Sequence, residues 1–516
     1  MWRQYVCGGD MTIIPDWLAR RAALAPNAPA LIAADTRWDF AALDGAASAL
    51  ASQLAALGVR SGTRVAALLG NTPTFVALIH ALPRCGATLV PLNTRLAPAE
   101  LAWQLADCGA SRLLHDTAHA EAASAIAALV PGVQLVLPSP PPLRGTPAIH
   151  EDEGDVIPPR LVMQQEPAGE GSIDLSAPHT IIYTSGTTGR PKGALLSYGN
   201  HWWNATASAL NLGLHADDRW LAMLPLFHVG GLSIVLRTAI YGIPLVLHER
   251  FEAAAANRAI DEHGVTIVSV VATMLQRMLI ERGEQPYPPQ LRCMLLGGGP
   301  APLPLLEACA ARNLPVVQTY GMTETASQAA TLAPADALRK LGSAGKPLLP
   351  VELHVDAPLG QPGEILVRGP TVTSGYINNP AATAAALQGG WLHTGDIGYL
   401  DAEGYLYVLD RRSDLIISGG ENIYPAEIEA ALLAHPAVAE AGVVGAPDAQ
   451  WGQVPVAFVV FKTVDDGQWT ISESELIVFL RERLAGYKLP RQITIVDELP
   501  RTAAGKLRRN LLRERL

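Results

Sequence analysis

Cysteine and net positive charge are both scarce in this chain, and each scarcity removes a class of protein. The five cysteines among 516 residues, Cys7, Cys85, Cys108, Cys293 and Cys309, are odd in number and form no CxxC pair. A disulfide scaffold and a cysteine-ligated zinc site therefore drop out, and free thiols in a reducing compartment are expected. Lysine and arginine total 38 against 48 acidic residues, a formal net charge of −10. That balance argues against a general nucleic-acid binder, which needs a basic surface to meet the phosphate backbone. Long hydrophobic runs are missing too: nothing reaches the roughly 18 residues of a membrane span. The richest stretch, 221–247, is interrupted by Pro225, His228, Arg237 and Pro244. The N-terminal residues hold Arg3 and two glycines but no apolar core of signal-peptide length. A cytoplasmic protein with no integral membrane segment is the expectation. Residues 1–10 read as a loose extension, with Met11 as an alternative start.

What is abundant is core material. Apolar residues make up 49% of the chain and charged residues 17%, the composition of a globular protein long enough for two or more domains. Short apolar runs at 30–34, 64–69, 89–91 and 112–114 alternate with helical patterns at 40–57, 74–82 and 97–105, which predicts βαβ units and a parallel sheet. Further buried-type strands are expected at 220–224, 243–247, 267–271, 291–296 and 316–318, with helices at 199–212 and 232–241. The proline-rich and acidic stretch 138–178 reads as a loop or linker. From about residue 340 the pattern changes to short antiparallel strands, at 352–356, 363–368 and 404–409. A last α+β unit follows Asp410. The expected fold is α/β: a large domain of layered α/β sheets with an antiparallel subdomain, residues 1–410, and a small mobile α+β lid domain, residues 411–516.

One string dominates the rest. Thr184-Ser185-Gly186-Thr187-Thr188-Gly189-Arg190-Pro191-Lys192-Gly193 packs three glycines, four hydroxyl residues and a lysine behind the apolar run 180–183. Glycines let backbone N–H groups approach and surround phosphate oxygens, hydroxyls donate further hydrogen bonds, and lysine adds a point charge. It is not a Walker A loop, because Pro191 stands where the second glycine of that motif belongs.

This string resembles the phosphate-binding signature of the adenylate-forming superfamily, which comprises acyl-CoA synthetases, peptide-synthetase adenylation domains and beetle luciferases. Four further strings match. Tyr320-Gly321-Met322-Thr323-Glu324 corresponds to a second signature, in which the resemblance gives Tyr320 to adenine, Thr323 to the α-phosphate and Glu324 to Mg²⁺. Asp396, in Trp391-Leu392-His393-Thr394-Gly395-Asp396, and Arg411 correspond to ribose-binding positions. Lys506, in Pro500-Arg501-Thr502-Ala503-Ala504-Gly505-Lys506, corresponds to the lysine that reaches the carboxylate and α-phosphate. The segment Gly297-Gly298-Gly299-Pro300 adds Gly298 to the nucleotide site. The implied reaction joins a carboxylic acid to ATP with loss of pyrophosphate, then transfers the acyl group to a thiol. A hinge is implied at Ser413, where many relatives carry Asp or Lys. Rotation there would exchange Lys506 for the stretch Ser418-Gly419-Gly420-Glu421-Asn422, whose Gly419 and Gly420 would line a pantetheine passage for coenzyme A.

Local strings, among them His201-Trp202-Trp203-Asn204, residues 224–233 and residues 409–425, are similar to those of the 2-succinylbenzoate–CoA ligases, the menaquinone-pathway branch of that superfamily. The substrate implied has two carboxylates, only one of which reacts. A buried spectator carboxylate needs a cation and hydrogen bonds. Arg237 lies four residues after Ser233, on one face of an apolar helix. Arg237 is expected to hold that carboxylate, with Ser233, Ser327 and Gln328 as polar neighbours, against the alternative of an arginine snorkelling to the surface. His228 is expected beside the acyl pocket, with no assignment as a base. An acyl-CoA ligase for a medium-chain or aromatic monoacid, and a non-catalytic adenylate-binding protein, stay open, as does a homo-oligomer. An adenylation domain fused to a carrier protein is not expected, since only ten residues follow Lys506.

Overall fold

The computed structural model describes residues 12–138, 171–184, 190–298, 303–337, 339–410, 415–462, 471–500, 507 and 509–516. Two large sheets form its body. The first has six strands in the order Lys192–Ser197, Pro178–Thr184, Thr88–Pro91, Arg64–Leu68, Arg112–His115 and Gln134–Val136. All neighbours run parallel except the first pair, an antiparallel hairpin. The second has nine strands, with a parallel centre running from Val316–Tyr320 through Cys293–Leu296, Ile267–Val270, Trp220–Ala222 and Leu245–Leu247 to Pro29–Ala33. Its edges are closed by short antiparallel strands. The central strands are almost wholly apolar and buried, Arg64 at one strand start and Ser269 excepted, as helices covering both faces require.

Helices between them start where the sequence supplies caps. Asp39 accepts from Ala42 N at 2.7 Å to begin Phe40–Ala56, and Thr72 accepts from Phe75 N, ahead of Pro73, to begin Pro73–Ala81. Ligands of such sheets sit beyond the carboxyl ends of the parallel strands. Here the carboxyl ends of both sheets open onto one cleft, whose walls include Leu69, Gly70 and Asn71 of the first sheet and Met223, Val271, Gly297 and Gly321 of the second. Asn71 ties the two sheets together. Its amide donates to Leu224 O at 3.0 Å and His248 O at 3.2 Å and accepts from Leu226 N at 2.9 Å.

An antiparallel sheet built on Glu352–Val355, Gly363–Arg368, Trp391–Leu400 and Leu406–Asp410 follows, and then a five-stranded sheet of residues 416–495 with helices Pro425–Leu433 and Glu473–Arg481. The apolar clusters of residues 416–512 share no member with those of residues 17–406. The layered α/β body, antiparallel subdomain and small α+β unit expected from the sequence are all present. Helices Ala253–Glu262, Ala272–Arg282 and Leu303–Ala311, and the ten-residue strand through Asp396, are additions to that expectation. Among the described residues no helix is long and apolar enough to cross a membrane.

Three histidines are buried in the body. Burial lowers His80 and His201 from the ordinary 6.5 to about 3 and holds His179 well below its usual range. Between those values the unfolded chain binds more protons than the native one. Their neutrality is therefore costless above about pH 6.5 and destabilises the fold as pH falls below it, by up to about 1.4 kcal/mol per pH unit for each group. The thermal midpoint is expected to fall between pH 6.5 and 5, and less steeply in His80→Leu than in the parent. Calorimetry over that range checks both.

Candidate active site

The hairpin of the first sheet carries the glycine-rich string. Thr184 ends one strand and stands opposite Lys192, which begins the next, and its hydroxyl reaches Lys192 O at 3.4 Å. Ser185, Gly186, Thr187, Thr188 and Gly189 lie outside the described residues. The Lys192 ammonium sits 5.3 Å from the centre of the Tyr376 ring. The Tyr376 hydroxyl in turn donates to Glu324 Oε1 at 2.8 Å.

Glu324 is delivered by the strand Val316–Tyr320 and a tight turn. The turn explains one glycine: a Cβ at Gly321 would lie 1.6 Å from Ser327 O. The chain folds back this closely because Ala326 and Ser327 adopt φ of 54° and 118°, the left-handed region that side chains disfavour. Glu324 is 6% exposed and faces a small cavity of about 150 Å³ together with Thr184, Lys192, Thr323 and Asp396. The Tyr320 hydroxyl donates to Asp396 Oδ2 at 2.8 Å. Five residues expected to share a nucleotide site, from three distant parts of the chain, are thus brought together with Tyr320 beside them.

A larger cavity of about 620 Å³ adjoins it and shares Phe227, His228, Met322 and Thr323. Gly298, Ser327 and Gln328 line it, as do Gly419 and Gly420. So does Arg237, which is only 2% exposed. The surface-snorkelling alternative for Arg237 is therefore ruled out. Its guanidinium packs 5.5 Å from the Trp220 ring and donates through Nη2 to Asn204 Oδ1 at 2.5 Å. Neither its Nε nor the two amide atoms of Gln328 has a hydrogen-bond partner among the described residues. No carboxylate there pairs with it. Ser233 departs from expectation. It is one turn away on the helix Val229–Tyr241, but its hydroxyl closes onto Gly230 O at 3.1 Å, and it is absent from the cavity wall.

The mouth of the site is closed by the C-terminal unit. Glu421 is held by Arg95 Nη1 at 2.7 Å and His228 Nε2 at 3.0 Å. Burial alone would raise its pKa, but its contacts with His228 and Arg95 outweigh burial and hold the carboxyl below its ordinary range. Lys488 is buried between Glu100 of the body, at 2.7 Å, and Glu427 of its own unit, at 2.6 Å. The Asn93 amide donates to the Tyr487 hydroxyl at 3.3 Å. Gly420 needs to be small here, since a Cβ would meet Val271 at 3.3 Å from a backbone at φ 89°. Arg411, Ser413 and Lys506 lie outside the described residues. Sequence reasoning missed Asn71, Asn93, Arg95, Glu100, Tyr376 and Lys488. Their partners are distant in the chain, so no local pattern marks them.

Comparisons with known proteins agree with this geometry. The model of the AMP-binding enzyme family matches residues 18–377, and that of the AMP-binding enzyme C-terminal domain matches 427–506. A 2-succinylbenzoate–CoA ligase from Geobacillus kaustophilus is 52% identical over 509 residues, 98% of each chain. A double mutant of o-succinylbenzoate CoA synthetase from Bacillus subtilis, bound with its product analogue OSB-NCoA, superposes with a TM-score of 0.87 at 45% identity and 98% coverage of both chains. The same enzyme in complex with ATP and magnesium ion scores only 0.70, also at 45% identity, over 97% of this chain and 100% of that one. Equal identity with unequal overlap means the two differ in the placement of their parts, and the arrangement seen here is nearer to the product-analogue complex.

The strained turn makes one substitution informative. Gly321→Ala must push the Ser327 carbonyl away and carry Thr323 and Glu324 with it. It is expected to cost at least about 1–3 kcal/mol of stability, measured by denaturant unfolding, and to reduce turnover far more than the exposed helix variant Gly45→Ala, where an added Cβ meets nothing.

Proposed function

The chain belongs to the AMP-binding enzyme family, and we propose that it is an AMP-forming acid–thiol ligase that adenylates the succinyl carboxylate of 2-succinylbenzoate and transfers the acyl group to coenzyme A. Menaquinone biosynthesis in the cytoplasm is the corresponding role. The observation that carries the substrate assignment is Arg237, a buried cation with no carboxylate partner among the described residues, set in the wall of a cavity that opens onto the nucleotide site. A buried charge of this kind calls for an anion. The ring carboxylate of 2-succinylbenzoate would supply it, and a monoacid would not. Gln328, with a free amide donor, is a second partner on the same wall.

In the first half-reaction a succinyl carboxylate oxygen attacks the α-phosphorus of ATP, and the bond to pyrophosphate breaks. Negative charge builds on the phosphoryl oxygens, where Lys192, Thr323 and the loop 184–189 would meet it, joined by Lys506. Preorganised donors of this type are commonly worth ~3–4 kcal/mol each. Asp396 and Arg411 would hold the ribose, with Tyr320 and Gly298 against the base. Glu324 is a buried carboxylate on the wall shared with Lys192 and Thr323, where the phosphates would lie. That fits Mg²⁺ brought in with the nucleotide, since a magnesium site needs one or two protein carboxylates with phosphate oxygens. Bound there, the ion would neutralise phosphate charge. In the second half-reaction the thiol sulfur of coenzyme A attacks the carbonyl carbon, and the bond to AMP breaks. Gly419 and Gly420 would line its approach, beside His228. The division into residues 1–410 and 411–516, with a hinge at Ser413, suits this exchange and is supported by the separate apolar cores. The Glu421 and Lys488 contacts would hold the second arrangement.

Initial rates of AMP and pyrophosphate release, with ATP, Mg²⁺ and coenzyme A, test the assignment against 2-succinylbenzoate, octanoate, benzoate and coumarate. Equimolar AMP, pyrophosphate and CoA thioester with 2-succinylbenzoate alone is expected. Turnover of a monoacid instead would reassign the substrate. Binding of ATP with no pyrophosphate release from any acid would point to a non-catalytic adenylate-binding protein.

A further inference from the structure

Arg237 is held by an amide, and that amide has a second attachment. Asn204 is 1% exposed on the helix Tyr198–Leu212. Its Nδ2 donates to Thr325 O at 3.2 Å and to Gln328 O at 2.8 Å. With the NH₂ end fixed by two carbonyls, the oxygen end must face Arg237, and it accepts from Nη2 at 2.5 Å. The two carbonyls bracket the strained turn at Ala326 and Ser327. That turn carries Thr323 and Glu324 at one end and Ser327 and Gln328 of the cavity wall at the other.

We propose that Asn204 is a positioning residue that sets acid specificity: as a neutral acceptor it orients Arg237 while leaving its positive charge to the substrate, and it locks that arginine to the turn bearing Thr323 and Glu324. The inference rests on the substrate reading above and adds a residue that touches neither the acid nor the nucleotide. Most partners would not serve. Aspartate at this position would pair with the guanidinium and fill the need for an anion from within the protein. A residue with no donor would leave the two turn carbonyls unpaired, which is costly in a buried site. An amide is neutral and both donates and accepts, as the position requires.

The test compares 2-succinylbenzoate with 4-oxo-4-phenylbutanoate, the same acid without its ring carboxylate, by kcat/KM for CoA thioester formation. The parent protein is expected to prefer the diacid strongly. Asn204→Asp is nearly isosteric. It should lower the ratio of the two kcat/KM values by at least ~30-fold, chiefly through the KM for the diacid, because a buried charge partner is replaced by an internal one. A parent protein without preference would defeat the substrate reading itself. A parent that discriminates and an Asn204→Asp variant that discriminates equally would overturn the role of Asn204 alone. Thermal melts show whether the aspartate variant is folded. If it is not, Asn204→Ala decides the matter. It adds no charge but frees both Arg237 and the turn, so it should weaken the preference for the diacid and lower kcat for both acids. An undiminished preference in that variant, or kcat unchanged for both acids, would contradict the proposal.

Discussion

A positive charge buried without a negative partner among the described residues is the constraint around which the larger cavity is organised. Arg237 is almost wholly buried, and its neighbours include an amide oxygen and the face of an indole. The residue lines a cavity that a ligand can occupy, and its Nε has no partner among the described residues. Folding without that ligand leaves an unmet demand, and binding an anion satisfies it. In the proposed reaction the same interaction gives affinity and specificity, since an acid with one carboxylate cannot both react and compensate the arginine.

Placement of that charge beside the nucleotide site follows from topology. Two mainly parallel sheets turn their carboxyl ends toward one cleft, and Asn71 holds the connecting loops of one against the other. The turn after Val316–Tyr320 stands at the junction. It faces the small cavity with Thr323 and Glu324 and the large one with Ser327 and Gln328. The C-terminal unit completes the enclosure through ion pairs that cross to the body, from Glu421 to Arg95 and from Lys488 to Glu100. Because each half of those pairs lies on a different unit, they can be made and broken without disturbing either apolar core.

Much of this was legible in the residues. Uninterrupted apolar runs marked the buried parallel strands, and the shift to short strands near residue 340 marked the antiparallel subdomain. The signature strings located Lys192, Thr323, Glu324 and Asp396, which the fold brings to one cavity. Helical spacing put Arg237 and Ser233 on one helix one turn apart, but spacing cannot tell that a serine hydroxyl will bond its own backbone, as Ser233 does to Gly230. Helix Ala253–Glu262 escaped because it opens on four consecutive alanines, which mark neither a core nor a solvent face. Arg95 and Glu421 are 326 positions apart, and Asn93 and Tyr487 are 394 apart. Contacts of that kind depend on the whole chain being folded and leave no local trace. Asn204 was visible as part of a string, but its role became apparent only when Arg237 and the strained turn were seen on either side of it.

The most direct measurement is a crystal structure of the protein soaked with 2-succinylbenzoate. The ring carboxylate is expected within about 3 Å of the Arg237 guanidinium, accepting from one of its N–H groups, with the succinyl carboxylate directed toward Thr323. A ring carboxylate lying instead at the cavity mouth near Arg95 or Arg250, with Arg237 still bonded only to Asn204, would contradict the claim that this buried charge selects the acid.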